Sequence, residues 1–181
     1  MSEEEKKGNT EVFEWIKSIA LAIAIALLIK TFVFNTTYVL GNSMYPTLLE
    51  KDRLFALKIP LYFGGPEIGD VVVLQAPDNP NKDYIKRVIA ISGDKVEIVD
   101  GKVYVNDKRL DEDYIVGDSY THAYENSIWI VPEGELFVLG DNRAEGASKD
   151  SRYFGTISKK SIKGVTGFRY FPIDDRFGNI D

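Results

Sequence analysis

Two short stretches of this chain hold side chains that could act as a nucleophile and its base. They are Gly41-Asn42-Ser43-Met44-Tyr45-Pro46-Thr47 and Tyr84-Ile85-Lys86-Arg87-Val88-Ile89. A serine hydroxyl is a poor nucleophile until a base takes its proton. Lysine can be that base only where burial in apolar surroundings lowers its pKa from roughly 10.4 toward neutrality. Most lysines fail this test: Lys51, Lys82, Lys95, Lys102, Lys108, Lys149, Lys159, Lys160 and Lys163 stand in polar or turn contexts. Two pass. Lys86 shares a strand face with Tyr84 and Val88 by alternation. Lys58 lies in the apolar stretch Leu54–Tyr62. Burial in sequence terms does not choose between them, and either could snorkel at a sheet edge.

Other chemistries have fewer residues to work with. The chain has no cysteine, which excludes thiol catalysis, disulfides and Cys-ligated zinc. Its single histidine, His122, cannot build a multi-His metal site, and no carboxylates of ligand spacing surround it. A Ser-His-Asp triad through His122 would need long-range folding to reach Ser43. The formal net charge of −6 supplies no basic field for a phosphate backbone, so nucleic acid is not an expected partner. Neither a cofactor nor a metal is expected.

The elements that must position these residues fall into two kinds. Residues 12–34, VFEWIKSIALAIAIALLIKTFVF, are uncharged from Ser18 to Ile29 and reach the roughly 20 residues that a membrane-spanning helix needs. Lys17 and Lys30 sit where they can snorkel toward headgroups, and Trp15 suits the interface. No small-x-small cleavage site follows, and no polar face breaks the stretch, so it reads as a retained anchor. Lys6, Lys7 and Lys17 precede or open the span. They predict a cytoplasmic tail over 1–11, the span over 12–34, and residues 35–181 outside.

Beyond the span the period changes to two. Strands are predicted near 37–41, 53–59, 70–75, 83–91, 95–99, 102–106, 128–131, 136–140 and 163–171. Asp100-Gly101 signals a tight hairpin. The acidic, Tyr-rich segment 110–126 reads as a projecting loop or ribbon. Residues 140–155 form a long polar loop of the kind that is functional or mobile. The class is all-β after one helix, in a single domain.

Four stretches in fixed order carry a family resemblance: GNSMYPTL at Gly41–Leu48, GDVVV at Gly69–Val73, YIKRVIAISGDKV at Tyr84–Val96, and GDNR at Gly140–Arg143 followed by SKDSRYFG at Ser148–Gly155. With one N-terminal span, the chain resembles a type I signal peptidase of the short, single-span kind found in Gram-positive bacteria. The resemblance covers nearly the whole chain. It implies Ser43 as nucleophile, Lys86 as general base, and Ser148 as the serine whose hydroxyl orients the lysine amine. Lys58 then drops to a structural role. The resemblance further implies that Asp150 and Arg152 hold their loop against the core, with Asp141 and Arg143 in the turn beside it. Met44, Leu48, Tyr84 and Ile85 would line a small pocket for the residue before the scissile bond.

The implied fold is a coiled, mostly antiparallel β-sheet domain, shared with self-cleaving SOS-repressor proteases, resting on the outer membrane face. The implied activity is removal of signal peptides after Ala-x-Ala by a Ser/Lys dyad through an acyl-enzyme. The expected partners are exported preproteins and the lipid bilayer, for a monomeric, single-pass cell-membrane enzyme. Two departures stand out. Gly41 replaces a serine that many relatives place two residues before the nucleophile, which leaves oxyanion binding to backbone N–H groups such as that of Ser43. Ala144-Glu145-Gly146-Ala147 separates Arg143 from Ser148, where relatives generally have two residues. Ser151 is the decoy for Ser148 and is expected to cap the turn. Two other functions compete. A self-cleaving Ser/Lys protease would carry a DNA-binding region where this chain has its span. A non-enzymatic exported β-domain would work without Ser43 or Lys86.

Overall fold

The apolar segment folds as one helix, α1, over Glu3–Phe32 in the computed structural model, which describes residues 3–180. Within it, Val12–Phe32 is 21 residues long and apolar enough to cross a membrane. None of its side chains is buried against the rest of the chain. A helix that is apolar all round and uncovered by protein suits lipid better than water. The backbone leaves the helix before the predicted end of the span, because Phe34 already pairs with Leu57. At the other end the helix reaches back through most of the predicted tail, whose residues 1–2 lie outside the described residues.

The remaining elements are, in chain order, β1 Phe34–Tyr38, β2 Arg53–Leu57, α2 Ile59–Tyr62, β3 Val71–Ala76, β4 Asn79–Ile91, β5 Lys95–Val99 and β6 Lys102–Val105. They continue with β7 Lys108–Arg109, β8 Ile128–Ile130, β9 Glu135–Leu139, α3 Ser151–Phe154, β10 Ile157–Ser158, β11 Ile162–Phe171 and β12 Gly178–Asn179. Among the described residues they form two antiparallel sheets. The larger runs β1-β2-β11-β3-β4-β9-β10 with β12 on β11, and the smaller runs β7-β6-β5-β8. The protein is therefore a mostly antiparallel all-β domain behind one N-terminal helix.

Apolar runs explain the layering. Val71, Val72, Val73 and Leu74 are all buried because β3 is covered on both faces. Val72 and Leu74 pack with Val88, Leu136, Val138 and Ile162, whereas Val71 packs with Val39, Met44, Leu48 and Leu54. A third cluster, built on Ile89, Val96, Ile98, Val103 and Phe137, joins the two sheets. The Asp100-Gly101 hairpin is present between β5 and β6, with both residues at positive φ (48° and 74°), as a type I′ turn requires.

Two expectations are corrected. The first strand lies upstream of 37–41, since residues 39–41 turn away toward Ser43 while Phe34–Tyr38 pair with β2. The 110–126 segment does not project freely. Glu112 and Thr121 accept hydrogen bonds from Arg143, and the Tyr114 ring lies 4.0 Å from the Arg87 guanidinium. The segment folds back because two buried arginines need its acceptors and its aromatic face.

Candidate active site

Ser43 sits in a turn that its neighbours pin to the core. Gly41 has φ +80°, a left-handed conformation that glycine adopts without a Cβ penalty. Met44 and Leu48 follow with 2 % and 0 % exposure, and the Leu48 N–H donates to Met44 O at 2.9 Å. Burying these two side chains leaves Ser43 facing the middle of β4. There Lys86 Nζ lies 2.8 Å from Ser43 Oγ and donates to Ile85 O at 2.9 Å.

Lys86 is 2 % exposed, which is unusual for a lysine. Its strand neighbour across β3 is Val72, and the Tyr84 ring lies 5.3 Å from the amine. Burial lowers its pKa to about 8; Asp150 and Asp141 pull it back up and Arg152 pushes it down. An amine of that kind is largely neutral in mildly alkaline solution and has a lone pair within reach of the serine proton.

The 140–155 loop braces both groups. The Asn142 N–H donates to Ser43 O and its side-chain amide to Asn42 O, each at 3.0 Å. Gly140 is squeezed so closely between Ser43 O and the Ser148 side chain that a Cβ there would clash with both. Asp141 accepts from Arg87 Nε at 3.0 Å, from Arg87 Nη2 at 2.8 Å and from Thr47 Oγ1 at 2.5 Å. Arg143 donates to Gly140 O at 2.9 Å and to Glu112 at 2.5 Å. Asp150 accepts from the Gly140 N–H at 3.0 Å and from Arg152 Nε and Nη2 at 2.8 and 2.7 Å.

The two candidate serines of this loop have different partners. Ser148 is 3 % exposed, lies beside Gly140 and Ser43, and its hydroxyl has no hydrogen-bond partner among the described residues. Ser151 accepts from the Val138 N–H at 2.9 Å and is thereby committed to β9. The cap of α3 is Asp150, not Ser151, because the carboxylate already accepts from the Arg152 N–H.

A cavity of about 480 Å³ opens over the Ser43–Lys86 contact, with 37–40 on one side and 81–86 on the other. Met44, Tyr84 and Ile85 line it, while Leu48 packs in the core with Met44. β4 pairs with β9 from Arg87 onward, so among the described residues 83–86 have a strand partner on the β3 side only. That free edge can accept an extended peptide.

Lys58 stands far from this cavity. Its amine donates to Thr31 O at 2.8 Å and Lys30 O at 3.3 Å, where a cation offsets the unpaired carbonyls at the end of α1. His122 packs against Tyr120. Among the described residues no group of three or more His, Asp or Glu is arranged to hold a metal. Sequence reasoning missed Asn142, Arg87 and Glu112. Alternation within β4 does set Arg87 opposite Lys86, but its partner Asp141 is 54 positions away.

The family described as signal peptidase, peptidase S26, matches residues 12–171. Signal peptidase I of Bacillus licheniformis is 38 % identical over 95 % of this chain and 96 % of its own. Signal peptidase IB of Staphylococcus aureus (strain COL) is 38 % identical over 91 % of this chain and 92 % of its own. A crystal structure of a signal peptidase I from Enterococcus faecalis V583 is 34 % identical, covers 55 % of this chain and 95 % of its own, and has a TM-score of 0.45. By the extent of these sequence matches, the chain belongs to the signal peptidase family of serine peptidases, peptidase S26.

Proposed function

We propose that this enzyme cuts signal peptides from exported preproteins with Ser43 as nucleophile and Lys86 as general base. One observation carries the assignment: a buried lysine amine lies 2.8 Å from a serine hydroxyl at the floor of an open cavity. The C-terminal end of the signal peptide extends along the free edge of 83–86. Met44, Tyr84 and Ile85 line the cavity beside Ser43 and would meet the side chain before the scissile bond, where an apolar wall that selects a small residue would give an Ala-x-Ala preference. Neutral Lys86 takes the Ser43 proton as Oγ attacks the carbonyl carbon. The Ser43 N–H stabilises the oxyanion. The tetrahedral species collapses, the C–N bond breaks, and the Lys86 ammonium protonates the departing amine. Lys86 then deprotonates a water that hydrolyses the Ser43 ester. Ser148 lends its hydroxyl to orient the amine once substrate is bound.

The pH profile tests the base. A lysine must lose its proton to act, so kcat/KM rises about tenfold per pH unit in acid, bends near the lysine pKa of about 8, and levels above it. A bend below pH 6 would point to a carboxylate or histidine instead.

Lys58→Met tests the rival lysine. It removes the helix-end contacts at Lys30 O and Thr31 O and leaves the cavity untouched. Cleavage stays within about twofold of wild type, and unfolding shifts by roughly 0.3–1 kcal/mol. An inactive Lys58→Met would reassign the base.

Val12–Phe32 anchors the enzyme in the cell membrane, with the residues before it in the cytoplasm and the β-domain that starts at Phe34 on the outer face. Anchoring confines enzyme and substrate to one plane and raises their effective concentration. Protease added to intact protoplasts digests the β-domain and spares an N-terminal fragment. A domain protected until lysis would reverse the orientation.

A further inference from the structure

Asp78 belongs to none of the four sequence stretches that carry the family resemblance, yet it touches the wall of the cavity. It lies in the turn between β3 and β4. The Tyr84 hydroxyl donates to Asp78 Oδ1 at 2.8 Å, with Oδ2 at 3.1 Å. The same carboxylate receives Lys149 Nζ at 3.1 Å, from the residue next to Ser148. Tyr84 is itself unusually placed. Its ring lines the cavity, lies 5.3 Å from the Lys86 amine, and stands on the part of β4 that among the described residues lacks a strand partner on one side. The half-buried ring packs against the cluster that contains Val72, Leu74 and Val88 and also faces the cavity, so a tie at its hydroxyl decides how far it leans toward the cavity.

We propose that Asp78 is a positioning residue for the cleavage reaction: by holding the Tyr84 hydroxyl it fixes the ring that narrows the small-residue pocket and shields the Lys86 amine from water. The role assumes the Ser43–Lys86 chemistry proposed above. Charge-assisted hydrogen bonds from a phenol are short and directional, so a single carboxylate suffices to set the ring. The Tyr84 and Lys149 donors hold the Asp78 carboxyl below its ordinary pKa, which keeps it an acceptor wherever the enzyme works. Lys149 is 60 % exposed at its side chain, so its pair with Asp78 adds little on its own.

The test uses the full-length chain in detergent micelles and two preproteins that differ only in Ala or Val before the scissile bond. Wild type favours Ala. Asp78→Ala and Tyr84→Phe each raise the relative kcat/KM for Val by about tenfold, and the double variant goes no further, because both remove one tie. Asp78→Asn, which keeps an acceptor oxygen, retains most of the selectivity. The pH profile supplies a readout that a merely structural role would not move. The amine is faced by Asp150, Asp141 and Arg152 from the 140–155 loop, by Ser43 from its turn and by Tyr84 from its own strand. A ring that no longer shields the amine lessens its burial, so the bend in the profile moves up from about 8 toward the ordinary lysine value in Asp78→Ala. Lys149→Met keeps both selectivity and bend.

Wild-type selectivity and bend in Asp78→Ala would overturn the inference. So would independent, multiplicative effects of Asp78→Ala and Tyr84→Phe, or a Lys149→Met variant that reproduces Asp78→Ala. These failures are distinct from failure of the catalytic assignment. Wild-type cleavage that survives Ser43→Ala would overturn that assignment and the role of Asp78 with it.

Discussion

Ser43→Ala and Lys86→Met each lower cleavage of a preprotein by roughly 10⁴-fold or more, and the double variant is no slower than either. The two side chains share one proton-transfer contact of 2.8 Å, so removing either partner removes the whole device. Lys86→Met should not unfold the protein. The amine is 2 % exposed and is held by Ser43 Oγ and Ile85 O, and methionine fills the same space without an ionisable group to desolvate. Thermal unfolding therefore stays at or above the wild-type midpoint while activity disappears. Retention of more than a few per cent of activity in either single variant would remove Ser43 and Lys86 from the chemistry.

Asp150→Ala is expected to cost the most stability. Its carboxylate is fully buried, holds the Arg152 guanidinium through two hydrogen bonds, accepts the Gly140 N–H and caps α3. The Arg152 side chain is likewise fully buried. Truncating the acid strands that charge and costs about 3–5 kcal/mol, read as a shift in urea unfolding. Adding Arg152→Met to Asp150→Ala recovers much of the loss, because the uncompensated cation goes with it. Activity does not recover, since the Gly140 N–H has still lost its acceptor beside Ser43. Any residual rate in Asp150→Ala bends at lower pH than wild type, because the Asp150 charge raises the Lys86 pKa. A destabilisation below about 1 kcal/mol would mean that the loop holds without this pair.

Local signals made much of the fold legible. β5 and the Asp100-Gly101 hairpin follow from alternation and from residues that tolerate positive φ. Lys86 could be shortlisted as a buried base because Tyr84, Lys86 and Val88 alternate with their neighbours, and the structure buries it against β3. What stayed hidden has no local signature. β7, β10 and β12 are two residues long, too short to show a period. β4 begins at Asn79, because hairpin pairing with β3 carries polar residues such as Lys82 and Asp83 into the strand. By composition Lys58 reads the same as Lys86, and the carbonyls of Lys30 and Thr31 show what it holds. The acidic segment reads as a projecting loop or ribbon because the cation that Glu112 meets, Arg143, is 31 positions away in sequence.

The most direct test is the protonation of one amine. Full-length enzyme in micelles, with ¹³C at the lysine Cε positions, is titrated by NMR, and the Lys86 signal is assigned by its loss in Lys86→Met. The predicted result is a Lys86 pKa of about 8, well below that of the exposed lysines. A Lys86 that titrates with the others near 10.4 would contradict the account, since an amine charged at working pH cannot take the Ser43 proton.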